Sequence, residues 1–266
     1  MPPTLSNGAR PIGVFDSGVG GLTVFREISR ALPREPLVYL GDSARVPYGT
    51  KSQATVVRYS LEAARHLLSR DIKMLVVACN TATAAALPQL QEALQIPVIG
   101  VVEPGARAAV ERTSGVVGVI ATEGTVRSKA YTKAIKKLDP DIEVIESAAP
   151  LFVPLAEEGW ANTHVAREVA EIYLEPLIDH GIDTLVLGCT HYPILRATIE
   201  QVVGNAVHIV DSAETTAQCV REALGRSAGV RDPEYHFYVT DAEERFRRIA
   251  GEFLEHEIEN LELVSL

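Results

Sequence analysis

The sequence predicts an α/β fold built on mostly parallel sheets, on three observations. Short apolar, β-branched runs alternate with amphipathic stretches almost end to end. Most of those runs are continuously apolar, as expected of parallel strands covered on both faces. One unit also occurs twice: Lys73-Met-Leu-Val-Val-Ala-Cys79-Asn-Thr81 resembles Asp183-Thr-Leu-Val-Leu-Gly-Cys189-Thr-His191. Each is a buried strand, a small residue, a Cys, then polar side chains and a helix, and the two lie about one domain length apart. The expected architecture is two pseudo-symmetric domains, each a sheet flanked by helices, with the active site in the cleft between them.

In chain order, the strand 12–15 runs into Asp16-Ser17-Gly18-Val19-Gly20-Gly21 and an amphipathic helix over 22–31. Those glycines permit a tight turn and close backbone approach, and the amides at the helix start favour a carboxylate or phosphate. Thr23 replaces the last glycine of a dinucleotide fingerprint, and no GxxxxGK[ST] loop occurs. The strand 37–40 leads into the polar loop Gly41-Asp42-Ser43-Ala44-Arg45-Val46-Pro47-Tyr48-Gly49-Thr50, and a helix follows over 53–69. Next come strand 74–78 with Cys79, helix 82–94 and strand 98–102, then Glu103-Pro104-Gly105, where a new unit is expected to start. The second unit holds strands 116–120, 143–145, 184–188 and 207–210, with helices over 126–138, 165–180 and 194–203. A helix over 215–224, a strand over 235–239 and a helix over 243–254 complete the chain. The domains are therefore expected at 1–103 with 212–266, and at 104–211.

A hydrophobic content of 47% excludes a disordered chain, and no apolar run approaches the ~20 residues of a membrane-spanning helix. Thirty-five acidic against 25 basic side chains disfavour nucleic acid as the main ligand, because phosphate binding needs concentrated Lys and Arg. The first ten residues carry no hydrophobic signal stretch, so a cytoplasmic location is expected. Three cysteines, an odd number with no CxxC pair, support neither a disulfide framework nor a zinc site. Cys219 sits in the apolar pattern of its helix and reads as core.

Cys79 and Cys189 read otherwise. Both stand where a strand meets a helix, and a helix start is expected to lower a thiol pKa. Asn80 and Thr81, like Thr190 and His191, bring hydrogen-bonding groups, and His191 could assist proton transfer at Cys189. Inverting an sp³ carbon that bears hydrogen needs a base on one face and an acid on the other. A thiolate and a thiol can exchange those roles with direction, so a matched pair suits racemisation. Acyl transfer needs only one nucleophile; a redox disulfide stays open on these residues alone.

DSGVGGLTV at 16–24, GDSARVPYG at 41–49, ACNTATA at 78–84 and GCTHYP at 188–193 together resemble the glutamate racemase branch of the cofactor-independent aspartate/glutamate racemases. EPG at 103–105, PLFVPLAEEG at 150–159 and DSAETT at 211–216 extend the resemblance over nearly the whole chain. It implies Cys79 and Cys189 as proton-transfer residues on the two faces of the glutamate α-carbon. The first would act on the D-isomer and the second on the L-isomer. Asp16 and His191 would assist them, with Glu157 near the second thiol beside its neighbour Glu158. Asp16, Ser17, Tyr48, Gly49, Asn80, Thr81, Thr122, Thr190 and His191 would hold the substrate. The resemblance implies glutamate as the small-molecule partner, no cofactor, no metal and D-glutamate supply for peptidoglycan. Some members of the family dimerise, so a homodimer is among the expectations. Val46 and Ala149 stand where many relatives carry Cys, at neither proton-transfer position. The long amino-terminal segment that accompanies activation by a peptidoglycan precursor in some relatives has no counterpart, so that regulation is not expected. Two rivals remain, a racemase of another amino acid such as aspartate, and a non-catalytic two-lobed amino-acid-binding protein.

Overall fold

The computed structural model describes residues 10–225 and 229–266. Its elements run β1 (Ile12–Asp16), α1 (Leu22–Ala31), β2 (Leu37–Gly41), α2 (Gln53–Leu68), β3 (Met74–Val77), α3 (Asn80–Ala93), β4 (Val98–Gly100) and α4 (Val102–Arg112). There follow β5 (Val116–Ala121), α5 (Glu123–Ser128), α6 (Ala130–Leu138), β6 (Glu143–Ala148), α7 (Phe152–Glu157), α8 (His164–Asp179), β7 (Thr184–Gly188) and α9 (Arg196–Val203). The chain ends with β8 (His208–Asp211), α10 (Ser212–Leu224), β9 (Tyr235–Val239), α11 (Glu243–Leu254) and β10 (Leu261–Leu263).

The strands form two sheets, six-stranded in the order β10-β9-β2-β1-β3-β4 and four-stranded in the order β6-β5-β7-β8. Every described ladder is parallel. The four-strand pattern 2-1-3-4 of the first sheet recurs as 6-5-7-8 in the second, so the repeated Cys unit is one feature of a repeated topology. In each sheet the chain first steps one way and then the other, which opens a crevice at the carboxyl ends of the two middle strands. In the larger sheet those ends are Asp16 of β1 and Val77 of β3, with Cys79 two residues on; in the smaller they are Ala121 of β5 and Gly188 of β7, just before Cys189.

Burial follows the apolar runs. β1, β2, β3 and β7 are buried along their whole length, as the continuous runs predict. On one face of the larger sheet, Phe25 of α1 packs edge-on against Tyr39 and tilted against Phe237, with ring centroids 6.0 and 5.0 Å apart. α10 packs against both α1 and α4, and so ties the layers of the two sheets together. No helix among the described residues is long and apolar enough to cross a membrane.

Several boundaries differ from expectation. The strand expected over 98–102 stops at Gly100, and Pro104 and Gly105 lie in the first turns of α4, where Pro needs no amide hydrogen. The helix expected over 126–138 is two, α5 and α6, broken at Lys129 in the left-handed conformation with φ 55°. Cys79 caps α3, which begins at Asn80 rather than 82. α4, α7 and β10 are not among the expected elements: α7 and β10 are short, where local patterning is weak, and α4 starts across the Glu103-Pro104-Gly105 step, which reads as a break. Cys219 is only half-buried, facing a groove between α4 and α10 that is lined by charged side chains, so the core reading fails there.

Candidate active site

Between the carboxyl ends of the two sheets lies a cavity of about 440 Å³. Ser17, Tyr48, Gly49, Cys79, Asn80 and Thr81 reach it from the larger sheet's side, and Thr122, Glu157, Cys189, Thr190 and His191 from the smaller's. Asp16 lies just behind that wall and is fully buried.

Around Cys79, the turn after β1 and the start of α3 share their polar groups. The sulfur accepts from the Ala82 amide at 3.4 Å and lies 3.5 Å from Ser17 Oγ, toward which its thiol can donate. Burial pushes the Cys79 thiol up to about 12, the nearby Asp16 carboxylate pushes the same way, and the Ser17 and Ala82 hydrogen bonds only partly oppose them. The expectation of a lowered pKa is thus corrected, because the helix start is outweighed by desolvation and a neighbouring acid. Asp16 itself is raised by burial, against the pull of His191 and of the Gly18, Gly21 and Ser17 amides. Its Oδ2 accepts from the Gly18 amide at 2.9 Å, and its Oδ1 from the Thr190 hydroxyl at 3.5 Å.

Around Cys189 the arrangement differs. His191 Nδ1 lies 3.8 Å from the Cys189 sulfur, and its Nε2 lies 3.0 Å from Glu157 Oε1. Burial alone would lower the His191 pKa; Cys189 and Glu157 outweigh it and lift the ring to about 10. Burial would raise Glu157, but His191 and Arg245 hold it below the usual carboxylate range. Phe253 of α11 packs edge-on against the imidazole, 5.6 Å between centroids. Of the two adjacent acids, Glu157 faces His191 and the cavity. Glu158 is half exposed and reaches Arg245.

The two halves touch through small residues. A Cβ on Gly20 would fall 2.4 Å from both His191 Nδ1 and Thr190 Oγ1, so only glycine admits the second half this close. Thr23 Oγ1 donates across the same gap to the Thr190 carbonyl at 3.0 Å. Gly49 packs on Thr122, and the Thr122 and Thr81 hydroxyls lie 2.8 Å apart. Asn80 joins the halves too, its Oδ1 accepting from the Tyr131 hydroxyl of α6 at 2.7 Å. Its Nδ2 is buried without a protein partner, a donor left for something else. The Tyr48 hydroxyl is spent on Asp42 at 2.5 Å, so what Tyr48 offers the cavity is its backbone and ring.

Sequence reasoning missed the wall formed by α11. Arg245, Phe246 and Ile249 line the cavity, and Arg245 Nη2 reaches Glu157 Oε2 at 3.0 Å and Glu158 Oε1 at 3.1 Å. No motif marks these residues; they sit on an ordinary amphipathic helix far along the chain from Glu157.

Residues 12–220 match the Asp/Glu/Hydantoin racemase family. A glutamate racemase of Geobacter metallireducens is 55% identical over 262 residues, covering 97% of both chains. The crystal structure of a glutamate racemase isoform from Bacillus anthracis superposes with a TM-score of 0.93 at 43% identity, covering 97% of this chain and 98% of that one. That of a Francisella tularensis glutamate racemase in complex with D-glutamate superposes with a TM-score of 0.91 at 40% identity, again covering 97% and 98%. With strand-end thiols from both sheets on one cavity and relatives matched over nearly their full length, this chain is an amino-acid racemase and belongs to the Asp/Glu/Hydantoin racemase family.

Proposed function

We propose that this racemase interconverts L- and D-glutamate by proton transfer at two cysteines, with no cofactor. One observation carries the reading: Cys79 and Cys189, each following the third strand of a repeated four-strand unit, line one cavity from different sheets. A stereocentre held between them would be addressed from both faces. Relatives named glutamate racemase at 55% and 47% identity support glutamate as the substrate over aspartate.

The charges around the two thiols support a division of labour. Cys189, beside an imidazole that Glu157 stabilises as a cation, can pass its proton to His191 and become the base. Cys79, with its pKa pushed up to about 12, is the acid. The Cys189 thiolate takes the α-hydrogen of L-glutamate as S–H, and the electron pair moves into the substrate carboxylate. The Cys79 thiol then returns a proton to the opposite face. The reverse direction starts with the protonation states exchanged, Asp16 assisting at Cys79. Charge developing on the carboxylate would meet the Asn80 amide and the Ser17, Thr81 and Thr190 hydroxyls, donors already positioned before reaction. Thr122 and the Tyr48–Gly49 backbone complete the binding wall. Residues 1–103 with 212–266, and 104–211, would act as the two halves that close on the ligand and exclude water. The role follows as D-glutamate supply for bacterial peptidoglycan, in the cytoplasm.

The test is racemisation of either glutamate enantiomer without added cofactor, followed by circular dichroism, with α-hydrogen exchange in D₂O. Cys79→Ala and Cys189→Ala should each remove racemisation and leave the thermal unfolding midpoint within a few degrees of wild type. Wild-type turnover in either variant would contradict the pair. Binding of glutamate without α-hydrogen exchange would mark a non-catalytic binder.

A further inference from the structure

We infer that Arg245, on α11 of the larger-sheet half, is a positioning residue that locks Glu157 onto His191 from across the cleft. The inference rests on the two-thiol reading above and extends it to a residue that touches no reacting atom.

The Glu157 carboxylate has two oxygens and both are taken. Oε1 faces His191 Nε2 at 3.0 Å, and Oε2 accepts from Arg245 Nη2 at 3.0 Å. Glu157 lies on the last turn of the short α7, in the half that carries Cys189, whereas α11 follows β9 of the other sheet. The contact therefore spans the cleft beside the cavity. A glutamate at the end of a six-residue helix has several rotamers available, and holding both oxygens selects one. A guanidinium suits this task because its planar donors fix an angle as well as a distance.

Among the described residues, four charged or titratable groups face His191. They are Cys189 on its own loop, Asp16 at the end of β1, Glu157 on α7, and, behind Glu157, Arg245 on α11. Arg245 can affect the ring in two ways of opposite sign. Acting through space, its positive charge disfavours an imidazolium. Acting through Glu157, it keeps the counter-charge in place and favours one. The Arg245 side chain is 53% exposed, so solvent and salt screen its direct field. The Glu157–His191 contact is direct and mostly enclosed, so the positioning effect dominates.

The imidazole titration of His191, followed by NMR in the full-length protein, separates these cases. It is assigned by the signal lost in His191→Asn. Arg245→Gln should move the His191 midpoint down by about one pH unit, the scale of a nearby opposite charge gained or lost. Glu157→Gln should move it in the same direction and further. Arg245→Lys, which keeps the charge and one donor, should restore at least half of the shift. Glu158→Gln should leave it unmoved. An unchanged midpoint in Arg245→Gln, or one that rises, overturns the inference, since a rise is what a through-space cation alone predicts. In turnover, Arg245→Gln should lower kcat about tenfold with a smaller change in KM. The titration needs no turnover, so it can fail while glutamate racemisation stands. Loss of racemisation in the wild type would sink the catalytic reading without touching the titration.

Discussion

Replacing Asn80 by alanine separates what that residue does for the fold from what it does for the ligand. Asn80 is 2% exposed; its Oδ1 accepts from the buried Tyr131 hydroxyl at 2.7 Å, and its Nδ2 has no protein partner. Removing the side chain strips an acceptor from a hydroxyl that water cannot reach, a cost of about 1–3 kcal/mol. For a chain of this size that is about 2–4 °C in Tm for each kcal/mol. Taking away both partners in Asn80→Ala/Tyr131→Phe leaves neither group unsatisfied and should recover much of the loss. Binding should not recover with it. If Nδ2 donates to the substrate carboxylate, its loss removes a charge-assisted hydrogen bond worth about 1.5–3 kcal/mol, or about 10- to 150-fold in kcat/KM. That deficit should persist in the double variant, while Tyr131→Phe alone should lose far less activity. Thermal unfolding and circular-dichroism racemisation on the same four proteins complete the cycle. Recovery of kcat/KM together with Tm in the double variant would refute the assignment of Nδ2 to the substrate.

Gly20→Ala should reduce activity at least tenfold, because the new Cβ must displace His191 or Thr190, both within 2.4 Å of it and both buried. It should also cost about 1–3 kcal/mol of stability as an overpacked contact, and wild-type activity would show that the halves separate freely there. His191 makes stability pH-dependent. Its folded pKa of about 10 lies above the unfolded 6.5, so its contribution is complete below 6.5 and is lost as pH rises through 10. Between pH 6.5 and 8, below the range in which an unfolded cysteine titrates, stability should fall as the pH rises, and by less where the ring holds the proton that Cys189 gave up. Urea midpoints measured across that window should fall in wild type and level out in His191→Asn; parallel slopes in the two would show that the ring is not held as a cation.

The features legible in the chain are those that depend on neighbouring residues. Continuous apolar runs mark the strands of parallel sheets because such strands are covered on both faces, whatever lies on those faces. The repeated strand-Cys-polar step marks both thiols, because a strand end and a helix start are set by a few consecutive residues. The DSG turn and the paired hydroxyls are legible for the same reason. The short α7 and β10 are not, since a three-residue strand or a six-residue helix takes its stability from packing more than from its own pattern. The charge states and the far wall come instead from the packing of one half against the other. The Cys79 thiol has a helix start to lower its pKa, and burial with Asp16 raises it instead, a balance that no local motif encodes. Arg245 stands 88 residues from Glu157 in the chain and 3.0 Å from it in space. Desolvation and long-range ion pairs depend on which surfaces meet, and that is settled only when the two sheets close on one another.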